Sequence, residues 1–145
     1  MIEINQNDVI YKLNKDVRKL DNIQIPSNAT VFDASGCECF NDISGLKNYP
    51  HLRVLLLSHT DIRSADLKEI PDFIEAVDIR HCPNLRSYSL LPKRTENPLY
   101  VLISFAGERM LHSIPDNLNI EIDGWIKNVC KKNSPKVFKS QNTRS

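Results

Sequence analysis

A short apolar–proline phrase recurs along the chain and constrains its fold more than any other feature. Copies begin at Ile25-Pro26, Ile70-Pro71 and Ile114-Pro115, a looser copy begins at Tyr49-Pro50, and an alternating apolar run follows each of them. Proline fixes φ and lacks an amide donor, which favours an extended return segment over a long helix. A unit that recurs about every two dozen residues is typical of stacked repeats.

The apolar runs share one nine-residue pattern with apolar groups at positions one, four and six, although the fourth copy is degenerate and has serine at position six. The side chains at positions one, four, six and nine are, copy by copy, Ala29, Phe32, Ala34 and Cys37; Leu52, Leu55, Leu57 and Thr60; Ile74, Val77, Ile79 and Cys82; Leu99, Leu102, Ser104 and Gly107. The ninth positions are 23, 22 and 25 residues apart. Because side chains alternate along a strand, positions four and six are expected in the core. A small group at position nine is expected to form hydrogen bonds with the backbone of the turn. Residues 118–122 are expected to form a fifth, shortened strand.

This pattern resembles the leucine-rich-repeat proteins over residues 20–122. Residues 70–85 look most like the proline-phrased repeats of bacterial effector proteins, whereas the second copy is closer to short intracellular repeats. The resemblance implies an α/β solenoid with a parallel concave sheet, irregular convex returns and helical caps. It also implies a protein that binds another protein through its concave face.

Both ends of a repeat array must hide an open face, so we looked for caps. Residues 8–20 fit an amphipathic helix, with Asp8 as its N-cap, inside an N-terminal cap of residues 1–22. The repeats then occupy residues 23–122. A turn at Gly124 and a short helix are expected to form a C-terminal cap over residues 123–130, followed by a basic, disordered tail over residues 131–145.

Positions three, five and seven should face away from the core and form the partner site. The predicted partner-binding residues are Asp33, Val54, Leu56, Asp78, Arg80, Val101, Ile103 and Phe105. A one-residue slip in the degenerate fourth unit is the alternative, and it would send Val101, Ile103 and Phe105 inward and Ser104 outward. With the first register, replacing Leu56 and Ile103 together by aspartate should abolish binding and leave the fold intact.

The residues offer little for catalysis. His59 and His81 share position eight on neighbouring strands near Cys82, but no third metal ligand is placed. Glycine is scarce, with four in the chain, and neither a phosphate-binding glycine loop nor a Gly-x-Ser-x-Gly elbow occurs. We therefore predict a non-enzymatic protein without a metal, a cofactor or a catalytic residue.

Charge and composition leave two further functions open. The net charge is +1, but residues up to 126 carry −5 and residues from Lys127 onward carry +6. The basic tail could bind nucleic acid or an anionic membrane, and the small chain could be a subunit or assembly factor of a larger complex. The N-terminus lacks a signal-peptide layout and the four cysteines form no dense framework. We expect an intracellular, cytoplasmic protein with reduced thiols, with secretion as an effector by an unconventional route as the alternative.

Overall fold

A computed structural model describes residues 1–105, 108–128 and 136–139 as an α/β fold dominated by parallel strands. Seven parallel strands form one sheet in the order β7-β6-β5-β4-β3-β2-β9, and β1 and β8 form a separate parallel pair. The strands are β1 Ile2–Ile4, β2 Val9–Lys12, β3 Val31–Asp33, β4 Val54–Leu56, β5 Ala76–Asp78, β6 Tyr100–Ile103, β7 Asn119–Ile122, β8 Ile126–Asn128 and β9 Lys136–Lys139.

Helices are few and short in the described part of the chain. They comprise the 3-10 helices Ser44–Asn48 and Ser64–Glu69, which lie on the return segments between strands, and one α-helix, α1, at Glu108–His112. None of the helices among the described residues is long and apolar enough to cross a membrane.

The first three repeat copies pair in the predicted register. Val31 lies opposite Val54, which lies opposite Ala76, and the residues one and two positions further along pair in the same way. Positions four and six of these copies are buried in the main core, from Phe32 and Ala34 to Val77 and Ile79. The core therefore lies on one face of the sheet, which we call the core face.

The fourth copy is slipped by one residue, as the alternative reading predicted. Val77 pairs with Val101 and not with Leu102, so Val101 and Ile103 point into the main core. Tyr100 to Ile103 is a continuous apolar run without alternation, so its pattern cannot show which residues face the core. The same slip was expected to bury Phe105, but that side chain is 73% exposed.

Position nine of the first three copies forms a buried ladder at the turns after β3, β4 and β5. Thr60 donates its hydroxyl to the carbonyl of Leu57 at 2.7 Å, and the Cys82 thiol donates to the same carbonyl at 3.2 Å. The Cys37 thiol contacts the carbonyls of Leu13 and Asn14 at 3.6 and 3.5 Å. For these three residues, this confirms the prediction that small groups at position nine form hydrogen bonds with the backbone of the turns.

The opposite face of the seven-stranded sheet, which we call the covered face, is closed by the pair β1–β8. Ile2 and Ile4 of β1 are 2% and 4% exposed and pack in a second apolar cluster with the outward columns of the sheet. The sheet residues in this cluster are Val31, Val54, Leu56, Ala76 and Leu102, with Ile10, Tyr100 and Ile126 at its margin. The chain thus supplies its own occupant for the face that was predicted to bind a partner.

An ion pair fixes the turn that brings β1 onto this face. Arg53 donates to both carboxylate oxygens of Asp8, at 2.9 and 2.5 Å, and to the carbonyl of Glu3 at 2.9 Å. Burial alone would raise the pKa of the Asp8 carboxyl, but hydrogen bonds from Arg53, the amide of Asn5 and the Thr30 hydroxyl outweigh it and lower that pKa.

The expectation of a helical cap at each end is wrong. Residues 9–12 form a strand and the rest of 8–20 is irregular, because Tyr11 and Leu13 alternate into the core with a strand period and β-branched Val9 and Ile10 favour a strand. After Gly124 the chain forms β8, not a helix. Asp123, not Gly124, takes the left-handed conformation of that turn, with φ 52°.

The tail also departs from the expectation of disorder at four positions. Lys136–Lys139 form β9, which pairs in parallel with β2 and occupies the sheet edge opposite β7. Val137 lies opposite Ile10 and Phe138 opposite Tyr11. The expectation for residues 129–135 and 140–145, and the free state predicted for Cys130, lie outside the described residues.

Candidate interaction surface

Most of the predicted partner-binding side chains are buried. Val54, Val101 and Ile103 have no exposed surface, and Leu56 is 6% exposed. Val54 and Leu56 lie under β1 on the covered face, whereas Val101 and Ile103 belong to the main core because of the slip in β6. The expectation that these four side chains form an exposed apolar patch is therefore wrong.

The polar members of the predicted partner site, Asp33, Asp78 and Arg80, bond to other groups of the protein. Asp78 is fully buried and forms two hydrogen bonds with the Arg80 guanidinium, at 2.9 and 3.0 Å. The bond to Asp78 raises the pKa of Arg80 above its usual value, against the opposing effect of burial. Arg80 also donates to the carbonyl of Gly124 at 2.9 Å, so it ties the end of β5 to the segment entering β8. Asp33 accepts bonds from the amide and hydroxyl of Ser35 and is half-buried.

Phe105 is the one predicted contact residue that is largely exposed, and it stands at the carboxyl ends of the parallel strands. His59, His81 and Phe105 follow β4, β5 and β6 by two or three residues. The His59 and His81 rings stack with centroids 4.9 Å apart, close to the strand spacing. His81 and Phe105 line the same pocket, and the amide of His81 donates to the Ser104 hydroxyl at 3.1 Å. We call these three side chains the edge rings.

The backbone presents the two histidines outward. His59 and His81 adopt left-handed φ values of 56° and 57°, and Gly36 occupies the equivalent position of the first copy with φ 80°. Histidine is enriched among the non-glycine residues that tolerate this conformation. Glycine in the first copy and histidine in the next two at position eight are a signal in the sequence for a left-handed turn, in addition to the metal pair considered for the histidines.

Trp125 lies between β7 and β8, in the segment that was expected to form a helical cap, and adds to the exposed apolar surface. It is 63% exposed and follows the turn in which Asp123 accepts a bond from the amide of Phe105 at 2.9 Å. Ile122, at the end of the same strand, is 44% exposed. Large exposed apolar side chains that gather at one end of a sheet are typical of contact surfaces.

Two pockets flank His81. The first holds about 330 Å³ between His81 and Phe105, over a floor that includes Ile79, Leu85 and Tyr88. The second holds about 500 Å³ and is lined by Glu38, His59, Thr60, His81 and Pro83. Because His81 and Pro83 line both, the pockets are neighbours on one surface.

Three free thiols lie in the described part of the chain, and of these Cys39 is exposed. Within residues 1–105, 108–128 and 136–139, no group of three or more His, Cys, Asp or Glu side chains is placed to hold a metal ion. Cys37 and Cys82 are buried, free thiols, and burial raises the pKa of both, to about 11 for Cys37. Comparison of the chain with protein-family models, curated proteins and solved structures gives no match.

Proposed function

We propose that this chain is a leucine-rich-repeat-like solenoid that binds a protein partner without catalysing a reaction. The repeat spacing, the parallel register and the buried ladder at position nine support the solenoid. The binding surface that we propose is the edge rings with Trp125, in place of the face that β1 and β8 cover.

One observation carries this choice of surface. The covered face is closed by the protein's own Ile2 and Ile4, whereas Phe105 and Trp125 expose 73% and 63% of their surface at the other candidate site. Aromatic side chains are enriched in protein interfaces and often dominate the binding energy. The turns that carry them are joined by the bond from the Phe105 amide to Asp123, and such restraint lowers the entropy lost on binding.

The experiment compares proteins captured by the tagged full-length chain with those captured by two variants. Phe105→Ser with Trp125→Ser should reduce capture of the specific partner by about tenfold or more, because a contact at an interface centre is worth about 1.4 kcal/mol or more. Val137→Ser is the matched control: its side chain is 50% exposed on β9, at the far edge of the sheet. If the double variant captures the same proteins in the same amounts as wild type, this surface is not the binding site.

A further inference from the structure

The pocket between His81 and Phe105 has the form of a site for one large apolar side chain. Ile79, Leu85 and Tyr88 at its floor are each at most 5% exposed and belong to the main core, which holds the floor in place. The rim is formed by His81 and by Phe105, which is 73% exposed. A volume of about 330 Å³ is ample for a leucine or phenylalanine side chain.

The neighbouring pocket differs in charge. Glu38 is exposed on its wall, and within the described residues no ion pair is formed by this carboxylate. The other walls, His59, His81, Thr60 and Pro83, offer ring faces and a hydroxyl but no lysine or arginine. A cationic side chain is the group that this pocket complements.

We infer that the two pockets together take an extended protein segment in which a large apolar side chain and a lysine or arginine stand two residues apart. This inference rests on the proposed function, since it names the chemistry of the partner at that surface. Side chains at i and i+2 of an extended chain point the same way about 7 Å apart, which suits two adjacent pockets that share His81 and Pro83. The apolar side chain fills the pocket between His81 and Phe105, and the cationic side chain pairs with Glu38.

Nucleic acid is a poorer occupant of this edge despite the stacked rings. Aromatic rings can stack on bases, but such sites add a positively charged groove for the phosphates. Here Glu38 lines the second pocket, and two further carboxylates, Asp61 and Asp123, follow β4 and β7. Residues up to 126 carry a net charge of −5.

Short synthetic peptides test the inference with the intact chain. Acetyl-Phe-Ala-Arg-amide and the reverse order, acetyl-Arg-Ala-Phe-amide, are titrated into isotope-labelled protein and followed by amide chemical shifts. At least one should shift the amides of Glu38, His81 and Phe105 with millimolar affinity, the range for a ligand of this size. Replacing arginine by glutamate in the peptide should weaken binding about fivefold, and replacing phenylalanine by serine should weaken it at least as much.

Protein variants assign each pocket. Glu38→Gln should remove the preference for the arginine peptide over the glutamate peptide. Phe105→Ser should weaken the binding of these two peptides by the same factor. The inference is overturned if neither peptide causes a shift, or if the shifts map away from the two pockets. It is also overturned if the arginine and glutamate peptides bind equally well, or if an oligonucleotide binds more tightly than any peptide. If partner capture is lost in the Phe105 and Trp125 double variant while the peptides fail, only the inference falls and the proposed function stands.

Discussion

At the scale of single residues, Asp8 and Arg53 show how a buried charge fixes the path of the chain. Asp8 is 4% exposed and accepts bonds from Arg53, from the Thr30 hydroxyl at 2.9 Å and from the amide of Asn5 at 2.9 Å. A buried carboxylate is stable only when its oxygens are paired in this way. The pair therefore holds the reversal between β1 and β2.

Asp8→Asn should lower the free energy of unfolding by about 2 kcal/mol at neutral pH, because it removes charge-assisted bonds. The lowered pKa of Asp8 adds a pH dependence. Its contribution is complete above the ordinary carboxyl value of 3.8 and is lost as pH falls through the lower folded value. Urea unfolding over this range should show a stability loss in wild type that the variant lacks. Asp21→Asn, at an exposed position, is the control; an equal effect of both substitutions contradicts this role of Asp8.

The thiols give a second test at this scale. In a Cys130→Ser background, Cys39, which is exposed, should react rapidly with a maleimide, whereas Cys37 and Cys82 should react only after unfolding. Burial shields both and raises the pKa of their thiols, so little thiolate forms at neutral pH. Mass spectrometry of the labelled peptides identifies the sites. Rapid labelling of Cys82 in the native protein would contradict the buried ladder at position nine.

At the scale of elements, the strands after each proline phrase could be predicted from their spacing. The slip in β6 could be foreseen only as one of two alternatives, and the cover could not be foreseen at all. The alternation of Phe32 with Asp33 and of Val77 with Asp78 carries the register of β3 and β5 in the sequence itself. Residues 100–103 are apolar throughout, so their register depends on the neighbouring strand. Residues 2–4 and 126–128 pair across most of the chain, and no local pattern shows that contact.

The same limit applies to the candidate surface. The exposure of Phe105 was predicted, whereas Trp125 was placed in a cap because its neighbours fitted a short helix. The burial of Val54 and Leu56 could not be foreseen, since it depends on Ile2 and Ile4 crossing over them.

The cover on the sheet can be tested through β1. Ile4→Ala should lower the free energy of unfolding by about 2 kcal/mol or more, because a buried isoleucine side chain is lost from a packed cluster. Glu3→Ala, at the exposed position between the two isoleucines, should change it by less than about 0.5 kcal/mol. Urea denaturation measures both. Equal small effects would mean that β1 is not packed on the sheet.

The register of β6 reverses one expectation from the sequence. Replacing Leu56 and Ile103 together by aspartate should now unfold the protein, since each change buries an unpaired charge and the two together exceed about 4 kcal/mol. Phe105→Ser, two residues after Ile103 and exposed, should leave the fold intact. Circular dichroism of the purified variants distinguishes the outcomes; a folded double aspartate variant would contradict the core positions of these side chains.

At the scale of the whole molecule, the chain closes one sheet face with its own strands β1 and β8, while Phe105 and Trp125 are exposed at the carboxyl ends of the strands. β1 and β8 lie over the covered face, and β9 pairs with β2 at one edge of the sheet. The edge rings follow β4, β5 and β6, and Trp125 directly precedes β8, where its carbonyl accepts a bond from the amide of Ile2. Binding through the exposed rings of Phe105 and Trp125 therefore does not require β1 and β8 to leave the sheet.

The most direct test of this account is solvent paramagnetic relaxation measured on methyl and aromatic protons of the labelled protein. A soluble paramagnetic probe should leave the methyl groups of Val54, Leu56, Val101 and Ile103 nearly unaffected and should strongly relax the rings of Phe105 and Trp125. The methyl groups of Ile122, which is 44% exposed, provide the internal reference for an accessible aliphatic side chain. If the methyl groups of Val54 and Leu56 relax as fast as those of Ile122, the covered face is open to solvent. The reason for placing the binding surface at the carboxyl edge is then contradicted.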